Sequence, residues 1–153
     1  RGFGLRFDLE PHKQVSTRSG RKYARPAGGD EIVAVIPVNP GDAVALATRG
    51  GHALCVMADD VNKLENPGKG VTVIKTGADD RVIGVKAGRG PKDVLRLETE
   101  SGGRKFEVAA DPKHAGGRAS KGRQLVKRAP LVLTAEPVVI TPLANAPGGP
   151  EIH

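Results

Sequence analysis

Asp42-Ala43-Val44-Ala45-Leu46-Ala47-Thr48-Arg49-Gly50-Gly51-His52-Ala53-Leu54 sets two β-type apolar runs either side of Thr48-Arg49-Gly50-Gly51. A glycine pair frees the backbone for a tight reversal, so the stretch predicts a hairpin. The first strand, Val44 to Thr48, returns 51 residues later as Leu95-Arg96-Leu97-Glu98-Thr99, and Ser101-Gly102-Gly103 repeats the turn. The second strand, Gly51-His52-Ala53-Leu54-Cys55-Val56, superposes on Gly2-Phe3-Gly4-Leu5-Arg6-Phe7 and on Gly103-Arg104-Lys105-Phe106-Glu107-Val108. Leu5, Leu54 and Phe106 then fall 49 and 52 residues apart. Self-similarity at a fixed period of this length marks a repeat architecture.

Basic loops follow in the same register. Ser19-Gly20-Arg21-Lys22-Tyr23-Ala24-Arg25, Pro67-Gly68-Lys69-Gly70-Val71-Thr72-Val73-Ile74-Lys75 and Gly117-Arg118-Ala119-Ser120-Lys121-Gly122-Arg123-Gln124-Leu125-Val126-Lys127-Arg128 align on Gly20, Gly70 and Gly122, spaced by 50 and 52. Tyr23, Val73 and Leu125 come three residues after the glycines, and Arg25, Lys75 and Lys127 two after that. Ile32-Val33-Ala34-Val35 matches Val82-Ile83-Gly84-Val85 as a further strand, and Leu131-Val132-Leu133-Thr134 matches more loosely. Asn39-Pro40-Gly41-Asp42 and Ala78-Asp79-Asp80 supply turns. Four short strands per period predict an all-β fold, a β-pinwheel or propeller-like array of about three four-stranded blades of roughly 50 residues, as an open or partial disc. Tandem small barrels would give the same strand count.

The units run over 1–41, 42–92 and 93–141, followed by a Pro/Gly-rich tail, 142–153. The first unit lacks the strand expected ahead of Arg1, and Val138-Val139-Ile140-Thr141 has no partner in the pattern. A chain that begins at Arg1 rather than Met is expected to be a piece of a longer protein. Helix is expected to be nearly absent, with at most a turn at Asp59-Asp60-Val61-Asn62-Lys63-Leu64 capped by Asp59.

With aromatics at 3% and no Trp, the core must be built from Val, Ile, Leu and Ala. The 21 glycines and 12 prolines call for many turns, while the recurring Val-rich runs exclude wholesale disorder. The net charge of +7 points to an acidic partner. Its distribution is sharper than its total. Residues 11–26 and 113–128 together hold 11 of the 24 cations and no acid, leaving 13 basic against 17 acidic residues elsewhere, a balance of −4.

Glycines let a loop lie close to a polyanion while Arg and Lys neutralise its phosphates. Only Tyr23 is interleaved with these cations, which favours backbone contacts to a duplex over stacking on single-stranded bases. The candidate DNA-binding residues are Arg18, Arg21, Lys22, Arg25, Lys69, Lys75, Lys113, Arg118, Lys121, Arg123, Lys127 and Arg128. The plainer reading of the same cations is a solvated face that keeps the chain soluble.

No catalytic, cofactor-binding or metal-binding residue is expected. The lone Cys55 excludes an internal disulfide, sits in a strand as a packing thiol, and fits a reducing cytosol. No CxxC or HxxxH spacing suggests zinc, and His12, His52, His114 and His153 do not cluster with acids at ligand spacing. Asp59-Asp60 and Asp79-Asp80 are expected as turn and capping residues rather than Mg²⁺ ligands. Tyr23 is expected as a core or edge residue by its register with Val73 and Leu125. There is no GxxxxGK[ST] loop for ATP and no apolar run of membrane length.

The repeated order of Asp42 to Leu54, then Asp60-Val61-Asn62, Gly68-Lys69-Gly70-Val71 and Asp79-Asp80-Arg81-Val82-Ile83-Gly84-Val85, resembles a known family. It is similar to the C-terminal β-pinwheel of the A subunit of bacterial type IIA topoisomerases, DNA gyrase and topoisomerase IV. The resemblance covers residues 1 to about 141. It implies a basic rim that binds and bends double-stranded DNA and presents it to a strand-passage core. The partners implied are the remainder of the A subunit, together with the ATPase B subunit, in the bacterial cytoplasm with the nucleoid. ATP and Mg²⁺ are implied only for the complete topoisomerase. Gyrase carries a motif here, Gln-Arg-Arg-Gly-Gly-Lys/Arg-Gly. The corresponding Gly116-Gly117-Arg118-Ala119-Ser120-Lys121-Gly122 keeps Arg118, Lys121 and Gly122 and lies in the last unit rather than the first blade. Both departures make topoisomerase IV the better match. A protein-interaction β-repeat module and an RNA-binding array of small barrels are the alternatives.

Overall fold

In the computed structural model, residues 1–14 and 18–135 are described. Val138 to Thr141 and the tail 142–153 lie outside them. The strands are β1 (Phe3–Gly4), β2 (Ala43–Thr48), β3 (His52–Met57), β4 (Val71–Thr72), β5 (Val82–Gly88), β6 (Val94–Thr99), β7 (Lys105–Ala109), β8 (Arg123–Gln124) and β9 (Leu131–Leu133). Helix is limited, among the described residues, to three single 3₁₀ turns, at Glu10–His12, Ala58–Asp60 and Pro112–His114.

Three antiparallel sheets follow from these strands, in the orders β1-β4, β5-β2-β3-β8 and β7-β6-β9. Both predicted hairpins form. Leu46 faces Leu54 across β2-β3, and Leu97 faces Phe106 across β6-β7. The buried hydroxyls of Thr48 and Thr99 do the same work in each, Thr48 Oγ1 accepting from the His52 amide at 3.2 Å and Thr99 Oγ1 from those of Gly103 and Arg104 at 3.1 Å. The second loop is one residue longer. Its left-handed glycine is Gly102 (φ 75), matching Gly51 (φ 95), so the added residue is Gly103, which the sequence register sets against Gly51.

Strands of one sequence period do not stay in one sheet. β4 pairs with β1, Phe3 facing Thr72, and β8 pairs with β3, His52 facing Gln124. Each short strand after a basic loop therefore adds to the sheet of the preceding unit.

The apolar residues sort into two cores. Ala45, Ala47, Leu95, Leu97, Val108 and Leu131 share one, and Leu46, Val56, Val61, Val73 and Ile74 the other. β2 feeds both, through Ala45 and Ala47 on one face and Leu46 on the other, which is why its sequence is continuously apolar. β6 has one buried face, and Leu95 and Leu97 alternate with the exposed Arg96. Burying a Leu of this kind contributes about 1.5–3 kcal/mol.

Aspartates fix the turns. Asp42 accepts from the Asn39 amide at 2.7 Å and from Arg89 Nε at 2.5 Å, and Asp93, one period on, accepts from the Arg89 amide at 2.9 Å. Asp80 holds the first hairpin from outside, accepting from the Gly50 amide at 2.7 Å. Asp59 does not cap its 3₁₀ turn. Its carboxylate reaches back to the Gly41 amide and to Arg6, because Asp59 lies inside the turn and Met57 holds the N-cap position.

One expected strand is missing. Residues 31–38 pair with nothing as a strand, and Ile32, Val33 and Val35 are exposed. Their counterparts are held by β2 and β6, and the described chain puts no such strand beside them.

Candidate nucleic-acid interface

Each basic loop turns on a left-handed glycine in the register read from the sequence: Gly20 (φ 70), Gly70 (φ 81) and Gly122 (φ 72). At two of them glycine is required sterically as well. A Cβ on Gly70 would lie 2.2 Å from the Gly4 carbonyl oxygen, and one on Gly122 would lie 2.2 Å from that of Ala53. Close approach of loop to strand is what lets β4 and β8 join the neighbouring sheet.

The loops are bonded to one another. The Arg25 amide donates to the Gly68 carbonyl, and the Lys75 amide to that of Ser120, both at 2.8 Å. Parallel bridges Ala24–Gly68 and Ile74–Ser120 accompany these bonds. The Ala119 amide donates to Val73 O at 2.6 Å, and Arg118 Nη1 donates to Thr72 O at 3.2 Å. The three segments thus form one connected run across successive units, with Arg25, Lys75 and Lys127 at equivalent places. Lys69 and Lys121 are equivalent, as are Arg21 and Arg123. Lys113 stands apart on the 3₁₀ turn ahead of the last loop.

All of the candidate cations, Arg18, Arg21, Lys22, Arg25, Lys69, Lys75, Lys113, Arg118, Lys121, Arg123, Lys127 and Arg128, are exposed. Among the described residues none of them forms an ion pair. Arg6, Lys13, Arg49, Lys63, Arg89 and Arg96 are the side-chain cations held by carboxylates, of Asp59, Glu10, Glu100, Asp8, Asp42 and Glu107. Scaffold cations and candidate cations are separate sets.

Two features escaped sequence reading. Lys69 Nζ lies 4.1 Å from the Phe3 ring centroid, an arrangement visible only once β1 and β4 pair. Lys105 stands exposed at the start of β7 and Arg104 just ahead of it, its guanidinium 5.2 Å from the Phe106 ring centroid; the two consecutive cations are legible in the sequence but read there as strand. Tyr23 is half-buried and stacks on Phe7 at 4.8 Å, with His12 against the Phe7 edge at 5.2 Å.

Several other polar groups are committed to structure. The Arg89 guanidinium, then the Asn39 amide, hold the Asp42 carboxyl below its ordinary value. Burial pushes the Cys55 thiol up, away from nucleophilic thiolate. Asp80 accepts from the Gly50 and Arg81 amides. Among the described residues no three His, Cys, Asp or Glu gather as metal ligands, and no helix is long and apolar enough to cross a membrane. The carboxylates of Asp59 and Asp80 are taken up by backbone amides and Arg6.

No family model matches the chain. Over 88 residues it is 35% identical to the DNA gyrase A subunit of Granulibacter bethesdensis, a match that takes in 55% of this chain and 9% of that protein. The C-terminal domain of DNA topoisomerase IV superposes with a TM-score of 0.72 at 16% identity, over 88% of this chain and 44% of that one. The E. coli ParC C-terminal domain superposes with a TM-score of 0.61 at 19% identity, over 87% of this chain and 58% of that one. The fold is the β-pinwheel found at the C-terminus of type IIA topoisomerase A subunits. The pinwheel is an open array of sheets here. The sequence relative belongs to gyrase, whereas the structural neighbours include topoisomerase IV, so the comparisons divide between the two enzymes. Ala119 takes φ 64, a left-handed backbone at a non-glycine residue.

Proposed function

We propose that this β-pinwheel binds duplex DNA along its connected basic loops, bends it, and presents it to the strand-passage core of a type IIA topoisomerase. The observation that carries this reading is the run of exposed, unpaired cations on loops bonded to one another through Gly68 and Ser120. Phosphates are the ligand such a run suits, because a repeated cation spacing tracks a repeated anion and makes no base contacts. The chain itself contributes no bond-breaking chemistry; ATP, Mg²⁺ and the rest of the A and B subunits belong to the complete enzyme. The units 1–41, 42–92 and 93–141 act as consecutive stations for the duplex, with Arg118, Lys121, Arg123, Lys127 and Arg128 as the main station. The altered motif at Gly116 to Gly122 favours topoisomerase IV-like decatenation and relaxation over gyrase-type wrapping. On this reading the protein works in the bacterial cytoplasm, at the nucleoid.

Binding of the chain to a forty-base-pair duplex, against single-stranded RNA of equal length at several salt concentrations, tests the proposal. Salt-dependent duplex preference supports it. Preference for the RNA would favour the barrel-array alternative, and no nucleic-acid binding at low salt would favour the protein-interaction module.

A further inference from the structure

Folding gathers at the first basic loop what the sequence keeps apart. The Phe7 and Tyr23 rings stack at 4.8 Å with their planes 19° apart. The 3₁₀ turn Glu10–His12 adds the His12 imidazole, 5.2 Å from the Phe7 centroid at 68°. The repeat does not call for these rings. Phe7 holds the register position of Val56 and Val108, and Tyr23 that of Val73 and Leu125. In those units aliphatic side chains fill the two cores, with Val56, Val73 and Val108 buried. Packing alone therefore does not account for two aromatic rings that stay half-buried in the first unit.

A cleft of about 660 Å³ opens beside the rings, with Phe7, His12, Arg21 and Lys22 in its walls. That volume suits a small ligand rather than a duplex. Asp8 at the rim pairs with Lys63 at 2.8 Å, which leaves Arg21 and Lys22 against the one other acid of the lining, Glu65. An aromatic wall beside cations is the chemistry of a nucleotide: the ring face takes the base and the cations take the phosphate. Glu65 adds an acceptor for a base amino group.

We propose that this cleft binds one unpaired nucleotide, its base against Phe7 and His12 and its phosphate at Arg21 and Lys22. The same chemistry is offered by a nucleotide in an unpaired stretch of a DNA strand and by a free nucleoside monophosphate. The site goes beyond duplex binding along the loops, which reads phosphates and no base. It belongs to the first unit alone, because the other two units carry aliphatic residues at the equivalent positions.

The test compares, by fluorescence anisotropy, a forty-base-pair duplex carrying a short unpaired dA tail with the same duplex carrying an abasic tail of equal length. Free dAMP is titrated separately. Both tails have the same phosphates, so their ratio reports the base. The expected result is binding tighter by about fivefold or more for the dA tail, a ratio that falls towards one in Phe7→Leu and in His12→Ala. Each variant is its own reference, so a general loss of affinity does not enter the ratio. Hydrogen-exchange protection at β2 and β6 reports the fold, and His12→Ala carries the comparison if Phe7→Leu does not fold. Saturable dAMP binding that both variants lose, without an effect of the tail, would assign the site to the free nucleotide. Equal affinity for the two tails together with no dAMP binding would overturn the proposal, as would a tail effect that survives both substitutions. A blunt duplex that does not bind would sink the duplex reading and leave the comparison of tails intact.

Discussion

The amide of Lys75 donates to the carbonyl of Ser120 at 2.8 Å, and one period earlier the amide of Arg25 donates to that of Gly68 at the same distance. Neighbouring basic loops are therefore spliced backbone to backbone. Their cations keep a fixed spacing that does not rely on side-chain packing.

Charge reversal in the last loop should weaken duplex binding without regard to sequence. An Arg118→Glu/Lys121→Glu double variant is expected to lose affinity equally on AT-rich and GC-rich duplexes, as followed by fluorescence anisotropy. Arg118 also donates to Thr72 O, so Lys127→Glu, which has no such bond, serves as the control for misfolding.

The salt dependence should be steep. If about six phosphates are neutralised, log K should fall against log[salt] with a slope of roughly −5. Removing Lys75 and Lys127 should flatten that slope by about two units; an unchanged slope would take both residues off the DNA path.

Asp42 should make the fold acid-sensitive. Its folded-state pKa lies below its unfolded value of about 3.9, so the stability it contributes is fully present above that value and is lost as pH falls through the folded pKa. Asp42→Asn should cost about 1–3 kcal/mol at neutral pH. Its unfolding midpoint in urea should also vary less than the parent's between pH 5 and 2, since the titrating group is gone.

Glycine substitutions should separate strain from clash. Gly20→Ala meets only the left-handed penalty of about 1–2 kcal/mol, because nothing lies within 4 Å of its Cβ position. Gly122→Ala adds a 2.2 Å approach to Ala53 O and should destabilise more, with β8 the first strand to lose exchange protection. Conversely, Ala119→Gly should raise stability by about 1 kcal/mol by relieving φ 64.

The repeat was legible because each period carries its own turn chemistry. Gly20, Gly70 and Gly122 are spaced by a period and share one backbone conformation, and Thr48 and Thr99 end equivalent strands with equivalent hydroxyl bonds. Periodicity could not show which sheet a strand joins. Thr72 and Gln124 are read in one unit and hydrogen-bonded in another, since pairing is decided by the loop's approach to Gly4 and Ala53. Ile32 to Val35 shows the opposite limit: a strand-forming composition makes no strand without a second backbone to bond. The candidate cations are legible from loop register and the distribution of charge, whereas their separation from ion-paired ones such as Arg49 and Arg89 depends on contacts between residues about fifty positions apart.

The lending of β4 and β8 to preceding sheets has a mechanical consequence. A pull on the loop at Gly122 is carried through β8 into β3, while a pull on the loop at Gly70 is carried through β4 into β1. Load is handed along the array instead of peeling one sheet away, as links in a chain share tension. A molecule strung across the loops would then meet a graded spring, stiffest around β2, whose two faces feed both cores, and softest at the ends.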